Sequence, residues 1–327
     1  MAARRLFTAL FSLCAALAAF VSTPAHAQAA WPNKPIRIVV PFAPGGASDI
    51  LARLIGKELS ERLKQPVIVE NKPGAGGTIG ADYVAKSPPD GYTLLLADSS
   101  VVMTFPWLYP NLPYQAKDLI PVNNIATFGL IMIAPANSKF STLAEIVAAE
   151  KATPGKLNMA SPGTGSSNHL TLESLNKAAG TKIVHVPYKG AGPAVNDVVG
   201  GQVDLTFASG AASKPLIDGG KVKAIAVTSS KRNPLLPQVP TIAESGVVGF
   251  ESTAGQGLFA PAGTPRDIVN RINAEVNAIV KSKEMQEQFA KMGIDRMEES
   301  PEQFAAWLTR ESDQWAALIK AAGIKAE

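Results

Sequence analysis

The chain has 327 residues, with 31 lysines and arginines against 27 aspartates and glutamates, and one cysteine. This length is long for one core and comfortable for two domains. The small positive charge, without a basic cluster interleaved with aromatic residues, excludes a nucleic-acid footprint, and a single cysteine excludes a disulfide framework.

The first 27 residues are predicted to form a secretory signal peptide. Two arginines at residues 4–5 precede an apolar run over residues 6–21, and residues 25–27 have the small-x-small pattern of a cleavage site. A retained membrane anchor is the alternative, but the run is short and ends in a Ser-Thr-Pro sequence. Cleavage near Ala27 would remove Cys14 and leave 29 of the basic side chains against 27 acidic ones, so we expect an exported protein.

From Trp31 onward, short branched runs alternate with helical patterns, which predicts an α/β fold of parallel sheets covered by helices. A first series of strands is predicted at 36–42, 67–70 and 92–97. A second series is predicted at 130–135, 157–161, 183–188, 203–208 and 222–229, and a strand at 255–261 leads out of it. Helices are predicted to begin near Ser48 and at Pro265 and Pro301.

The two series of strands predict two domains after the signal peptide at residues 1–27. The first domain is expected to be discontinuous, over residues 28–127 and 255–327, and the second to span residues 128–254. The reason is the last helix, whose apolar face must pack on a domain that has already formed. The chain is then expected to cross twice between the lobes.

The stretch 36–49 runs from a buried strand through a glycine turn into a helix. Unpaired N–H groups and the positive end of the helix dipole favour an anion there, and Gly45 and Gly46 let it approach the backbone closely. An ordinary strand-to-helix turn is the alternative, in which Asp49 is simply an acid favoured in the first helical turn.

The stretch 161–169 repeats this pattern, because a strand enters a turn rich in glycine and hydroxyl groups that opens a helix. Its serine and threonine hydroxyls and its N–H groups can meet a carboxylate. The two turns are expected to face each other across a cleft at the carboxyl ends of both sheets. Helix capping without ligand contact is the alternative for each serine.

Four motifs resemble the Bug family of periplasmic solute receptors: residues 41–46 with Asp49, and residues 70–77, 90–94 and 186–190. The resemblance covers essentially the whole chain after the leader. It implies a two-domain clamshell of the type II-like periplasmic-binding-protein fold, in which each lobe is a mainly parallel sheet flanked by helices. It also implies a monomer that closes on a small organic acid and delivers it to the membrane permease of a tripartite tricarboxylate transporter.

By this resemblance, the two turns hold a carboxylate and the loops after the third and seventh strands line the rest of the pocket. The predicted ligand-binding residues are Phe42, Ala43, Pro44, Gly45, Gly46, Asp49, Ala97, Asp98, Ser99, Ser161, Gly163, Thr164, Gly165, Ser166, Ser167, Asn168, Tyr188, Phe207, Ala208 and Ser209. Family members often carry asparagine or aspartate in the two loops to read the far end of the ligand. Here these places hold Asp98, and Ala208 with Ser209, which leaves open whether the acid is a mono- or dicarboxylate.

An enzyme ranks below a receptor, because the chain after the leader has no cysteine and only His169 and His185 as histidines. A triad of a serine, His169 and Asp49 lacks the Gly-x-Ser-x-Gly elbow, and the glycines after Pro73 miss the dinucleotide fingerprint by one residue. His185 alternates within a strand and is expected at a surface or interface, and Lys189 is either exposed or in contact with the ligand. We therefore expect no catalysis, cofactor or metal. A ligand-dependent partner of an extracytoplasmic sensor kinase remains the alternative function.

Overall fold

The structure, a computed structural model, describes residues 31–297 and 299–324. The predicted signal peptide, with Cys14 and the cleavage site near Ala27, lies outside the described residues. The chain divides into the units Met1–Asn33 and Lys34–Glu327, and all the described helices and strands lie in the second unit. Within the described ranges, no helix has the length and apolar character needed to cross a membrane.

Two sheets flanked by helices form the two lobes, and this two-lobe α/β fold confirms the predicted fold class. The first sheet contains β1 (Ile36–Val40), β2 (Val67–Asn71), β3 (Thr93–Asp98), β4 (Leu119–Gly129), β10 (Thr253–Pro261) and β11 (Asp295–Arg296). Its strand order is β11-β4-β10-β3-β1-β2. The second sheet contains β5 (Ile131–Pro135), β6 (Asn158–Ser161), β7 (Val184–Pro187), β8 (Leu205–Ala208) and β9 (Val222–Val227), in the order β7-β6-β8-β5-β9.

Both sheets are mixed, which corrects the expectation of mainly parallel sheets. Strand β1 pairs in parallel with β2 and β3, and β6 with β7 and β8. In contrast, β10 is antiparallel to β3 and β4, and β5 is antiparallel to β8 and β9. The antiparallel strands β4, β5 and β10 are those that carry the chain between the lobes.

The helices cover the sheets and place several of their N-termini at the carboxyl ends of strands. They are α1 (Ala47–Leu63), α2 (Thr78–Ala85), α3 (Ser100–Met103), α4 (Phe105–Leu108), α5 (Leu143–Ala152), α6 (Ser167–Ala179), α7 (Ala191–Val199), α8 (Gly210–Asp218), α9 (Arg266–Lys281), α10 (Lys283–Met292) and α11 (Pro301–Ala322). Helices α1, α6, α7 and α8 directly follow β1, β6, β7 and β8. Their first turns therefore gather where the two sheets face each other.

The long strand β4 was missed by the sequence reasoning. It pairs with β10 from Leu119↔Pro261 to Gly129↔Thr253, with two register shifts, and continues after one residue into β5 in the other lobe. Pro121 and two consecutive asparagines interrupt the alternation that marks a strand, and proline removes a ladder donor. Tertiary pairing with β10 outweighs this weak local signal. The predicted domain limits at residues 127/128 and 254/255 stay a prediction.

Each lobe has its own core, and a third cluster joins them. Val39, Leu95 and Phe304 pack together in the first lobe, with Trp307 of α11 against them. A second core contains, among others, Ile131, Ile133, Ala160, Val198 and Leu236. The third cluster consists of Leu108, Leu170 and Ile319, with Trp315 packed against it. Burying one such large side chain contributes about 1.5–3 kcal/mol, so this cluster stabilises the packing of α6 against the first lobe.

Candidate ligand-binding cleft

A cavity lies between the lobes at the carboxyl ends of β1, β3, β6 and β8. Its volume is about 40 Å³, which is room for about three waters. Its walls are formed by Phe42, Ala43, Gly46, Ala47, Ser48, Asp49, Asp98, Phe128, Leu130, Pro162, Ser166, Asn168, Ala191, Ser209, Ala254 and Gln256. Both predicted turns and both predicted loops thus reach this cavity.

The first turn presents an uncapped helix N-terminus to the cavity. Gly46, the residue before α1, has an extended backbone and no side-chain capping bond. The first intrahelical bond runs from Ile50 N to Gly46 O at 3.0 Å, so the N–H groups of residues 47–49 have no acceptor within the helix. Residues 46–49 all line the cavity. The positive end of a 17-residue helix therefore points into it.

Asp49 braces this turn from inside the first lobe. Its carboxylate accepts hydrogen bonds from Gly45 N at 3.1 Å, Arg53 at 2.9 Å and Asn71 Nδ2 at 3.0 Å, and Asn71 Nδ2 also donates to Phe42 O at 3.0 Å. Burial raises the pKa of Asp49, but the bonds from Arg53, Gly45 and Asn71 outweigh it and hold the pKa below its ordinary value. Asp49 is thus ionised, and its three hydrogen bonds position residues 42–46.

In the second turn, most hydroxyls bond to the turn itself. Ser166 Oγ donates to Gly163 O at 2.7 Å and accepts from His169 N at 3.3 Å, so it caps α6. Ser161 Oγ accepts from Gly163 N at 3.1 Å and lies 2.6 Å from a ring nitrogen of His185. Of the stretch 161–169, only Pro162, Ser166 and Asn168 line the cavity.

Two carbonyl groups of the same turn bind the first lobe. Tyr109 Oη donates to Thr164 O at 2.8 Å, and Thr104 Oγ1 donates to Gly165 O at 3.0 Å. Gly163 has a positive φ of 152°, and a Cβ there would lie 2.7 Å from the Cα of Gly76. Residues 163–165 are therefore placed at a close junction between the lobes, beside the cavity.

Asp98 bridges the lobes at the cavity wall. Its Oδ1 accepts from Ser100 N at 2.9 Å and, across the cleft, from Ser167 Oγ at 2.8 Å. Burial raises the pKa of Asp98, and the bonds from Ser100 and Ser167 offset this only in part.

Three further polar side chains line the cavity, and each also forms a hydrogen bond with another group of the protein. Asn168 Nδ2 donates to Phe207 O at 2.7 Å, and Ser209 Oγ caps α8. Gln256 of β10, which the sequence reasoning missed, accepts a hydrogen bond from Ser48 Oγ through its amide oxygen at 2.6 Å. The signal for Gln256 was a single polar residue between two glycines in an otherwise apolar strand. Because each side chain uses only part of its bonding capacity, each has donors or acceptors left for a ligand.

The start of α7 meets the first turn at the mouth of the cavity. Ala43 N donates to Lys189 O at 2.9 Å, so Lys189 contributes its carbonyl group while its side chain is exposed. Gly190 has φ of 154°, and a Cβ there would lie 2.7 Å from Ala43 N. Tyr188 stays within its own lobe, where its hydroxyl donates to Asp197 Oδ2 at 2.6 Å, and burial together with Asp197 raises its pKa to about 12.

The remaining predicted residues lie behind or beside the cavity. Ser99 N bonds to Gly255 O at 2.9 Å. Buried positions without a place in the cavity wall are Ala97, Phe207 and Ala208. Pro44 and Gly45 line a neighbouring interlobe groove of about 410 Å³.

The two histidines form a buried stack under the second turn. Their rings lie 3.8 Å apart, His169 Nδ1 accepts from Gly165 N at 3.1 Å, and its Nε2 is 3.7 Å from Glu173. Burial, with a contribution from His185, lowers the pKa of His169 to about 3, and burial lowers that of His185 to about 4. The contacts of the His169 ring are thus with Gly165 N, Glu173 and the ring of His185, and neither a serine hydroxyl nor Asp49 is among these. His185, expected at a surface or an interface, is half-buried, with its ring stacked on that of His169. Within the described ranges, no three His, Cys, Asp or Glu side chains gather as metal ligands.

Comparison with known families gives a match over most of the chain. The profile of the family described as tripartite tricarboxylate transporter family receptor matches residues 51–324. The "UPF0065 protein in tcbD-tcbE intergenic region" of Pseudomonas sp. strain P51 is 42% identical over 300 residues, covering 91% of this chain and 89% of its own. "Protein BugT" of Bordetella pertussis is 36% identical over 318 residues, covering 97% of this chain and 96% of its own.

Solved structures with the same fold include two with bound acids. Rpa4515 of R. palustris with adipate is 35% identical, has a TM-score of 0.87, and covers 90% of this chain and 99% of its own. MatC of Rhodopseudomonas palustris with bound malate is 33% identical, has a TM-score of 0.84, and covers 88% of this chain and 100% of its own.

Proposed function

This chain belongs to the tripartite tricarboxylate transporter receptor family, and we propose that it binds a small organic acid between its lobes and delivers it to the membrane permease of such a transporter. The observation that carries this proposal is the uncapped N-terminus of α1 at the interlobe cavity. The adipate and malate bound by two relatives, both organic acids, support it.

The first turn of α1 supplies the positive end of the site. Residues 47–49 offer free N–H groups, and the helix dipole is equivalent to about half an elementary charge at this end. Gly46 has no side chain to fill the space in front of these donors. Since no lysine, arginine or histidine is among the described residues that line the cavity, the backbone is the anion-binding element.

Lobe closure follows from the division of the site between the lobes. The donors of α1 belong to the first lobe, whereas Pro162, Ser166, Asn168 and Ser209 close the cavity from the second. A ligand in contact with both walls stabilises the closed arrangement by its differential affinity for it. In this proposal the protein acts as a periplasmic monomer without catalysis, after removal of its signal peptide near Ala27.

Thermal-shift and calorimetric titrations of the exported protein against mono-, di- and tricarboxylates test this proposal. Ligand at a hundred times its dissociation constant should stabilise the protein by about 2.7 kcal/mol, which raises the melting temperature visibly. Acids should bind and their amides should not, because the amide lacks the negative charge that α1 attracts. If no acid binds to protein that was unfolded and refolded to remove carried-over ligand, the proposal is wrong.

A further inference from the structure

We infer that His169 is a positioning residue for lobe closure, because its ring orients the peptide group between Thr164 and Gly165 towards the first lobe. This inference rests on the proposed function, since it says how the second lobe is prepared to close on an acid. His169 is 5% exposed and is not among the described residues that line the cavity. It therefore acts through the junction beside the cavity and not by contact with the ligand.

The two ends of this peptide group have partners in different lobes. Gly165 N donates to His169 Nδ1 at 3.1 Å within the second lobe, and Thr164 O accepts from Tyr109 Oη of the first lobe at 2.8 Å. The N–H and C=O groups of a trans peptide point in opposite directions. Because His169 holds the N–H group inside the second lobe, the carbonyl group faces the first lobe.

Glycines flank this peptide group, since the junction leaves no room for a Cβ. Gly163 and Gly165 have positive φ angles of 152° and 83°, and a Cβ at residue 165 would lie 2.8 Å from Leu108 Cδ1 of the first lobe. Glycine adopts many backbone conformations, so the turn by itself does not fix the direction of the carbonyl group. The hydrogen bond to His169 supplies this constraint.

The ring of His169 is held in the state that this role requires. A backbone N–H group can only donate, so Nδ1 carries no proton, and the proton of the neutral ring lies on Nε2, which is 3.7 Å from Glu173 Oε1. Burial lowers the pKa of His169 to about 3, so the ring is neutral at physiological pH. The ring stacks on His185 at 3.8 Å, and His185 Nε2 lies 2.6 Å from Ser161 Oγ. Both rings are thus anchored to the turn that His169 orients.

The first lobe is shaped to receive the carbonyl group. Burial raises the pKa of Tyr109 to about 12, so its hydroxyl keeps the proton that it donates to Thr164 O. Gly76 faces this hydrogen bond, and a Cβ there would lie 2.5 Å from Tyr109 Oη and 2.9 Å from Thr164 O. Hydrogen bonds at both ends of one peptide group polarise each other, so the bond to His169 strengthens the bond from Tyr109. Loss of the His169 acceptor should therefore weaken the contact between the lobes.

Isothermal titration calorimetry of the exported protein tests this inference. The probes are adipate and malate, the acids in the structures of two relatives, and any acid of the panel above that binds more tightly replaces them. His169→Leu removes the acceptor, whereas His169→Asn keeps an acceptor at the branch of the side chain where Nδ1 lies. Asn176→Leu is the matched control, because Asn176 Oδ1 also accepts from a backbone N–H group, that of Ile183, but towards the other end of α6.

The expected result is a loss of affinity that depends on the acceptor and on Tyr109. His169→Leu should weaken acid binding about tenfold, and His169→Asn should recover most of this loss. Tyr109→Phe should also weaken binding, and in that background His169→Leu should cost less than about threefold, because the oriented carbonyl group has lost its donor. Asn176→Leu should lower the melting temperature and leave the affinity close to that of the wild type. His169→Ala takes the place of His169→Leu in this cycle if the latter does not fold.

The tautomer of His169 gives a test that needs no acid. The exported protein retains two histidines, so the long-range proton–nitrogen NMR spectrum contains two rings, and comparison with His169→Asn identifies the signal of His169. At neutral pH the proton should lie on Nε2. A proton on Nδ1 would overturn the inference.

Four results of the titrations would overturn the inference but leave acid binding intact. These are wild-type affinity in His169→Leu, no recovery in His169→Asn, additive losses in His169→Leu and Tyr109→Phe, and an equal loss in Asn176→Leu. If no acid of the panel binds to the wild-type protein, the proposed function fails and the inference with it.

Discussion

Replacement of Gly46 is the sharpest test of the cleft, because this residue lines the cavity and faces the second lobe at close range without a positive φ. A Cβ at residue 46 would lie 3.1 Å from the Cβ of Ala191 across the cleft. Carbon atoms are optimally about 3.5–4.0 Å apart, so alanine at this position requires a shift of several tenths of an ångström. The backbone of Gly46, with φ of −88° and ψ of 172°, accepts any side chain, so the cost falls on closure and not on folding.

The expected loss of ligand affinity follows from the free-energy cost of overpacking the contact between residues 46 and 191. Gly46→Ala should weaken ligand binding by about 1 kcal/mol, and Gly46→Val, with two more methyl groups, by about 1–3 kcal/mol. These values correspond to roughly fivefold and roughly five- to 150-fold losses in affinity. Calorimetry measures the affinity, and circular dichroism should show that the melting temperature of the ligand-free variants is close to that of the wild type.

The double variant Gly46→Ala with Ala191→Gly provides the matched control. It adds a methyl group at residue 46 and removes the methyl group of residue 191 that faces it. The double variant should therefore recover most of the affinity lost in Gly46→Ala, as expected for two residues in contact. Wild-type affinity in Gly46→Val, or a double variant no better than Gly46→Ala, would show that the lobes do not close on the ligand in this arrangement.

Three further outcomes follow from the packing around the cleft. Because the pKa values of His169 and His185 are lowered to about 3 and about 4, the unfolded chain binds more protons than the folded one below about pH 6.5. The free energy of unfolding should therefore fall from pH 6.5 towards pH 4, and it should fall less in the double variant His169→Gln with His185→Gln. Urea titrations at several pH values measure this free energy, and the same pH dependence in both proteins would contradict the prediction. Tyr109→Phe leaves the carbonyl of Thr164 unpaired and should lower the free energy of unfolding by about 1 kcal/mol, whereas an unchanged melting temperature would mean that this junction is not formed. Asp49→Ala removes the brace of the first turn and should cost about 1–3 kcal/mol of stability and weaken acid binding, and unaltered affinity would show that the turn keeps its shape without it.

Much of the first half of the site could be predicted from the sequence. A branched run, two prolines, two glycines and an amphipathic helix follow one another within residues 36–63, and each acts on the backbone within a few residues. The strand, the turn and the start of α1 near Ser48 were therefore expected where the structure has them. The strand-turn-helix order of residues 157–179 was predictable for the same reason.

The use of each polar group was not predictable, because it depends on partners far along the chain. Ser166 and Ser161 serve the turn that contains them, whereas Ser167 reaches Asp98 and Ser48 reaches Gln256, 208 residues away. A hydroxyl in a glycine-rich turn has the same local signature in every one of these roles.

The sequence by itself therefore determined most of the local elements, although not β4. The other long strands, the glycine turns and the helix starts were predictable because dihedral preferences and hydrophobic period act over a few residues. Only the tertiary structure decided how these elements form a site. It paired β4 with β10, brought Ala43 against Lys189, and placed Asp98 and Asn168 in the wall of one cavity. These contacts join segments separated by 69 residues or more, and they arise from strand order and lobe packing, which no short stretch of the chain encodes.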